Sequence, residues 1–131
     1  FTLGEFGVFH IWHKDADLYL MDLRTRQVRP MTEINSDDVE SYHSWSSNGR
    51  WVVFSSRRYD GNYTRPFIAY IDKNGKGHKP FELPQEVPDM HRRFMRSYNL
   101  PEFMNGPVEI TPQAFASLIR DTEARPARQK N

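Results

Sequence analysis

The chain has 131 residues, 37% hydrophobic and 14% aromatic, and no cysteine, enough for one modest domain with a ring-rich core and incompatible with disulfides or a cysteine nucleophile. Its formal net charge is +1, so the basic surplus of a nucleic-acid binder is missing. No apolar run approaches the ~18–20 residues of a membrane span, and neither nucleic acid nor a membrane span is expected as a partner.

In chain order the first feature is an internal repeat. Gly4-Glu5-Phe6-Gly7-Val8-Phe9 aligns with Gly49-Arg50-Trp51-Val52-Val53-Phe54 at an offset of 45. Leu18-Tyr19-Leu20-Met21-Asp22 aligns with Ile68-Ala69-Tyr70-Ile71-Asp72, and Arg29-Pro30-Met31 with Lys79-Pro80-Phe81, at an offset of 50. The five extra residues fall in the stretch 61–67. A unit of this length repeated in order marks a repeat architecture.

Each copy reads as β-structure, with short aromatic or β-branched runs bounded by turn residues. The first copy predicts strands at roughly 7–12, 17–23 and 28–34, and its opening strand would lie upstream of Phe1. The second predicts strands at roughly 41–46, 51–57, 66–72 and 78–83, with Asn48-Gly49 as the clearest hairpin turn. Beyond Pro84 the pattern turns helical. Met90, Phe94, Met95 and Tyr98 have helical spacing, and they predict a face that docks on the blade or on a neighbouring chain. Arg92, Arg93 and Arg96 read as that helix's solvated side. Thr111-Pro112 reads as an N-cap with Pro in the first turn, with Phe115, Leu118 and Ile119 as the apolar face. Residues 125–131 are polar and aperiodic, a frayed end.

The string from Ser44 through Arg58, Ser-Trp-Ser-Ser-Asn-Gly-Arg-Trp-Val-Val-Phe-Ser-Ser-Arg-Arg, resembles the signature of TolB-like (PD40, WD40-like) β-propeller repeats. Asp60-Gly61-Asn62 supplies that family's next turn, and Ile68 to Asp72 and Leu18 to Leu23 resemble its following strand. The chain departs in having Ser47-Asn48 where the family prefers Pro-Asp, and in the insertion after Asp60. The fold class expected is therefore mainly β: four-stranded antiparallel propeller blades, one partial (1–35) and one complete (36–84), with a short α-helical C-terminal tail (85–131). The resemblance implies a surface for partners, a place in the bacterial periplasm or cell envelope, and no catalytic residues. Trp51 and Phe54 would fill the space between blades.

Fewer than two blades cannot close a ring, since propellers use about four to eight. The remaining blades, a protein partner, self-association, or the helical tail would have to cover what is exposed. A non-enzymatic binding or scaffold module is the leading expectation. The alternatives are the propeller portion of a prolyl-oligopeptidase-like peptidase, disfavoured because no Gly-x-Ser-x-Gly elbow occurs, and a carbohydrate- or peptidoglycan-binding propeller using Trp and Tyr platforms.

The strongest candidate site is Arg57, Arg58, Tyr59 and Asp60 with Tyr63 and Arg65, cations and phenols at a strand end and an inserted loop. Arg and Tyr are the residue types favoured in binding hot spots. The competing reading pairs Arg57 with Asp60 or Asp72 and packs the rings on the blade. His10 and His13, beside Asp15 and Asp17, invite a metal reading, but on a strand these two histidines face opposite sides. Asp37, Asp38 and Glu40 lack the ligand order of an EF-hand loop and read as a solvated connection. No cofactor and no metal are expected.

Overall fold

The computed structural model describes residues 1–121. It is mainly β, with two antiparallel sheets of three and four strands. The first holds β1 (Thr2–Leu3), β2 (Asp17–Met21) and β3 (Val28–Pro30), and the second holds β4 (Glu40–Trp45), β5 (Trp51–Ser56), β6 (Arg65–Tyr70) and β7 (Phe81–Glu82). Strand order equals chain order in both, so each sheet is an up-and-down meander. Two helices follow, α1 (Met90–Arg93) and α2 (Pro112–Asp121). Among the described residues no helix is long and apolar enough to cross a membrane.

The local chemistry explains the second sheet. Gly49 adopts φ 64 and donates its N–H to Ser46 O at 2.8 Å, while Ser46 N–H reaches Trp51 O at 2.9 Å. The Asn48 side chain accepts from Arg50 N–H at 3.0 Å. These bonds turn β4 back on β5. A bulge between Ser41 and Ser44, with Tyr42 at φ 50, twists β4 at its middle. Along β5 and β6 the faces alternate. Val52 pairs with Ala69 and Phe54 with Phe67 on one face, Val53 with Ile68 and Ser55 with Pro66 on the other.

The main core lies between the sheets. Leu18, Met31 and Ile34 from the first meet Val52, Phe54, Phe67, Ala69 and Ile71 from the second, all buried. Gly77 sits where a Cβ would stand 2.8 Å from Ile34 Cδ1 and 2.9 Å from its Cγ1. Ile34 is fully buried and has nowhere to move, so Gly77→Ala is expected to cost about 1–3 kcal/mol by overpacking, read as a lowered urea midpoint at unchanged slope.

The turns after β2 and β6 bear out the offset of 50. Asp22 Oδ1 accepts from Arg24 and Thr25 N–H, and Asp72 Oδ1 from Asn74 and Lys76 N–H. These backbone donors hold both carboxyls below the usual carboxylate range. The strand pairing repeats as well: Ile68 pairs with Phe81, and Met31 N–H bonds Leu18 O at 2.9 Å.

The first copy departs from expectation where a strand over 7–12 was predicted. The partner of β2 is Thr2–Leu3, and His10–Trp12 forms a 3-10 turn. Gly7 at φ 90 and Phe9 at φ 57 break the extended path on either side of Val8. Only Ile11 of this stretch is buried, against Ala16 and Val39. Phe6, Val8, Phe9 and Trp12 are each about 70% exposed.

The 90–98 helix is also shorter than its periodicity predicts. It stops at Arg93, and Phe94 is extended, because the following segment bonds the sheet instead. Tyr98 N–H reaches Thr64 O at 3.1 Å, and the Ser55 hydroxyl reaches Tyr98 O at 3.0 Å. Phe94 and Met95, expected to dock, are exposed. The anchor is instead His91, which is buried, 2.7 Å from Glu82 through Nδ1 and against the Tyr98 ring. α2 forms at Thr111-Pro112 as read, with Thr111 Oγ1 accepting from Ala114 N–H. Phe115, Leu118 and Ile119 on its apolar face remain exposed. The predicted frayed end, 125–131, lies outside the described residues.

Candidate functional site

The inserted turn follows directly from β5. Asp60 and Gly61 N–H both bond Arg57 O. The Asp60 carboxylate accepts from Asn62 and Tyr63 N–H at 2.8 Å each, a turn built by one side chain. Burial pushes Asp60 upward, but the two N–H donors and the nearby Arg65 and Arg57 outweigh it and leave the carboxyl below its ordinary range. The predicted insertion is only half loop, because Arg65 and Pro66 already pair with Ser56 and Ser55 in β6.

The six candidate residues are neighbours in space but have different surroundings. Arg58 donates to Glu40 Oε1 at 2.9 Å, Ile34 O at 2.8 Å and Ser56 Oγ at 3.1 Å, with its guanidinium 4.5 Å from the Phe67 ring centre. Arg65 is buried. It donates to Arg96 O at 2.8 Å, lies 3.8 Å from Asp60 and covers the Tyr63 ring. Tyr59 is about half exposed, edge-on to Phe67 and covered by the Arg92 guanidinium at 4.7 Å. That ring contact, with an Asp89 carboxylate 3.6 Å away, shows Arg92 engaged rather than merely solvated.

Arg57 shares a buried, unbonded Nε with Arg65 but differs in donating no side-chain hydrogen bond among the described residues and in facing a cavity. Its side chain is 9% exposed, and its ionic partner is Asp38, with Nε 3.4 Å from Oδ1, not Asp60 or Asp72. That Nε is buried without a hydrogen bond. The guanidinium faces the Trp12 ring at 5.8 Å and lines a cavity of about 80 Å³ with Trp12, Asn62, Thr64, Ser97 and Asn99.

Comparison with family models, with curated proteins and with solved structures finds no match to this chain. Its own geometry carries the functional argument.

Two sequence expectations need correction here. Of the stretch Asp37, Asp38 and Glu40, only Asp37 is exposed as a solvated connection would be. Asp38 is 8% exposed and Glu40 fully buried. Glu40 accepts from Ser36 N–H, the Ser36 and Ser56 hydroxyls and Arg58, because two arginines entering the fold must meet carboxylates inside it. His10 and His13 do not stand on opposite faces of a strand. His10 opens the 3-10 turn and His13 caps its end, with ring centres 6.4 Å apart, and His13 contacts Val8 O and Phe6. Among the described residues no group of three or more His, Asp or Glu is placed to hold a metal ion.

The sequence reading missed Trp12 as a wall of this site, and it missed Ser97 and Asn99. The sequence pattern puts Trp12 on a strand, and the other two in a helix or at its end. No pattern in either stretch signals the return of the tail to β6.

Proposed function

We propose that the chain is a non-enzymatic binding and scaffold module built from propeller-type blades of TolB-like character, which stacks on further blades or a protein partner. The observation that carries this is the equivalence of faces across the repeat. Leu18, Leu20 and Met31 look from the first sheet into the shared core. Their equivalents at offset 50 are Ile68, Tyr70 and Phe81. Ile68 and Tyr70 alternate with the inward Phe67 and Ala69 and so face away from the first sheet, and Phe81 pairs with Ile68 on that side. That the two sheets present equivalent faces in the same sense supports reading them as successive blades, and the outer face of the second is made of the residue types that the second sheet covers on the first.

That outer face is only partly covered. Residues 98–103 lie along it and leave an apolar groove of about 360 Å³ lined by Val53, Pro66, Ile68, Leu83 and Phe103. Phe81 stays 47% exposed and Tyr70 38%. Exposed contiguous apolar surface of this kind marks interaction sites. The resemblance of Ser44 through Arg58 to TolB-like repeats is what supports a place for such a module in the bacterial cell envelope.

Sedimentation velocity across a concentration series tests the reading. The purified chain is expected to associate, and Phe81→Lys to shift it to monomer while changing stability by no more than about 0.5 kcal/mol, as for an ordinary surface substitution. A wild-type chain that stays monomeric at all concentrations, or an association indifferent to Phe81→Lys, would count against it.

A further inference from the structure

We infer that the cavity between Trp12 and the Arg57 turn is a receptor for a carboxylate carried by a peptide on an acidic side chain. The inference goes beyond blade stacking and uses a different cavity, which shares only Asn99 with the outer-face groove.

The donors are unbalanced. A guanidinium carries five N–H donors, and more than nine-tenths of the Arg57 side chain is removed from solvent. Its approach to Asp38 lacks hydrogen-bond geometry at Nε, and Asp38 Oδ1 already accepts from Val39 N–H at 2.8 Å. Asn99 adds a second donor. Its Oδ1 accepts from the Thr64 hydroxyl, which leaves its NH₂ for another acceptor. The Ser97 hydroxyl, whose oxygen accepts from Thr64 N–H, provides a third. The buried Nε is a donor that goes unused, which is costly unless something accepts from it, and the guanidinium fork is matched best by a carboxylate.

Two features favour a peptide as the bearer. Asn62 gives its NH₂ to Asp60 O, so its Oδ1 is left to accept, as a peptide N–H beside the acid requires. The cavity, about 80 Å³, is about half the ~150 Å³ that encloses a six-membered ring. It suits a carboxylate on a short methylene stem better than a pyranose. Trp12, 67% exposed, forms the rim and offers a ring face to the peptide's apolar atoms.

The test is a titration followed by amide and indole NMR, using acetyl-Gly-Glu-Gly-amide, its Gln counterpart and glucuronate. The Glu peptide is expected to move Asn62, Ser97, Asn99 and the Trp12 indole, and to bind at least tenfold more tightly than the Gln peptide. Asn99→Asp, which sets a like charge against the ligand, should abolish the shifts. Trp12→Ala, at an exposed position, should weaken binding several-fold with the melting temperature unchanged. A Phe81→Lys chain should bind as the wild type does, which separates this site from the stacking face. Equal response to Glu and Gln peptides, or no movement of these resonances, overturns the site. Glucuronate binding without peptide binding overturns the peptide source.

Discussion

Glu40→Ala is expected to lower the unfolding free energy by about 3–5 kcal/mol, the range for removing one partner of a buried ion pair. The Glu40 carboxylate is fully buried and the Arg58 guanidinium it holds is 15% exposed. Truncation removes the acceptor for the Ser36 N–H at 2.9 Å, the Ser36 hydroxyl at 2.7 Å, the Ser56 hydroxyl at 2.8 Å and Arg58 at 2.9 Å. Four donors lose their shared oxygen acceptors at once, and one of them is a cation. Against the 5–15 kcal/mol that holds a typical domain together, such a loss leaves a large unfolded fraction at room temperature. Urea denaturation at neutral pH measures it. A double-mutant cycle with Arg58→Met separates the pair from its surroundings. The double variant should lose less than the sum of the two single losses, because no charge is then stranded. A Glu40→Ala loss below about 1 kcal/mol would mean that water reaches the site and that the carboxylate is not the pivot of this network.

This network was the part of the fold least legible in the sequence. The β5 hairpin could be read because Asn48-Gly49 and the alternation around Trp51 are local signals, and the Asp22 and Asp72 turns because each acid caps its own following loop. Burial of Glu40 depends on Ser56 and Arg58, 16 and 18 residues away, and no local pattern distinguishes such an acid from a solvated one. The same holds for Arg57 and Asp38. At residues 6–12 the residue types suited a strand, but two positive φ angles turned the chain and left its rings outside. The helical spacing after Pro88 was real for one turn. It then lost to bonds between residues 96–99 and the start of β6, a competition between local propensity and tertiary pairing that composition does not record. Of the candidate cluster, the sequence located the turn and its residues. It did not show that Arg58 and Arg65 serve the core while Arg57 is left facing a cavity, because burial and partners are set by segments far along the chain.

Phe54→Ala should cost about 3–5 kcal/mol, the range for a large aromatic lost from a core, and its effect should not stop at the strand that carries it. Phe54 is fully buried, near-parallel to Phe67 with ring centres 6.0 Å apart and covered by the Arg58 guanidinium at 5.4 Å. It lies on the face of β5 that meets Leu18, Met31 and Ile34 from the first sheet. That sheet has only three short strands and buries little apart from this contact, and too small a core cannot hold a sheet alone. Amide exchange in Phe54→Ala is therefore expected to accelerate in β2 as much as in β5. Trp51→Ala, on the outer face of the same strand and packed edge-on to Tyr70, should speed exchange locally and leave β2 protected. Had the repeat been two self-sufficient units, the Phe54 cavity would loosen β5 and β6 alone. Exchange that spreads to β2 would show that the sheets are stable only as a stacked pair, the property on which the proposed docking at the Ile68 and Phe81 face relies.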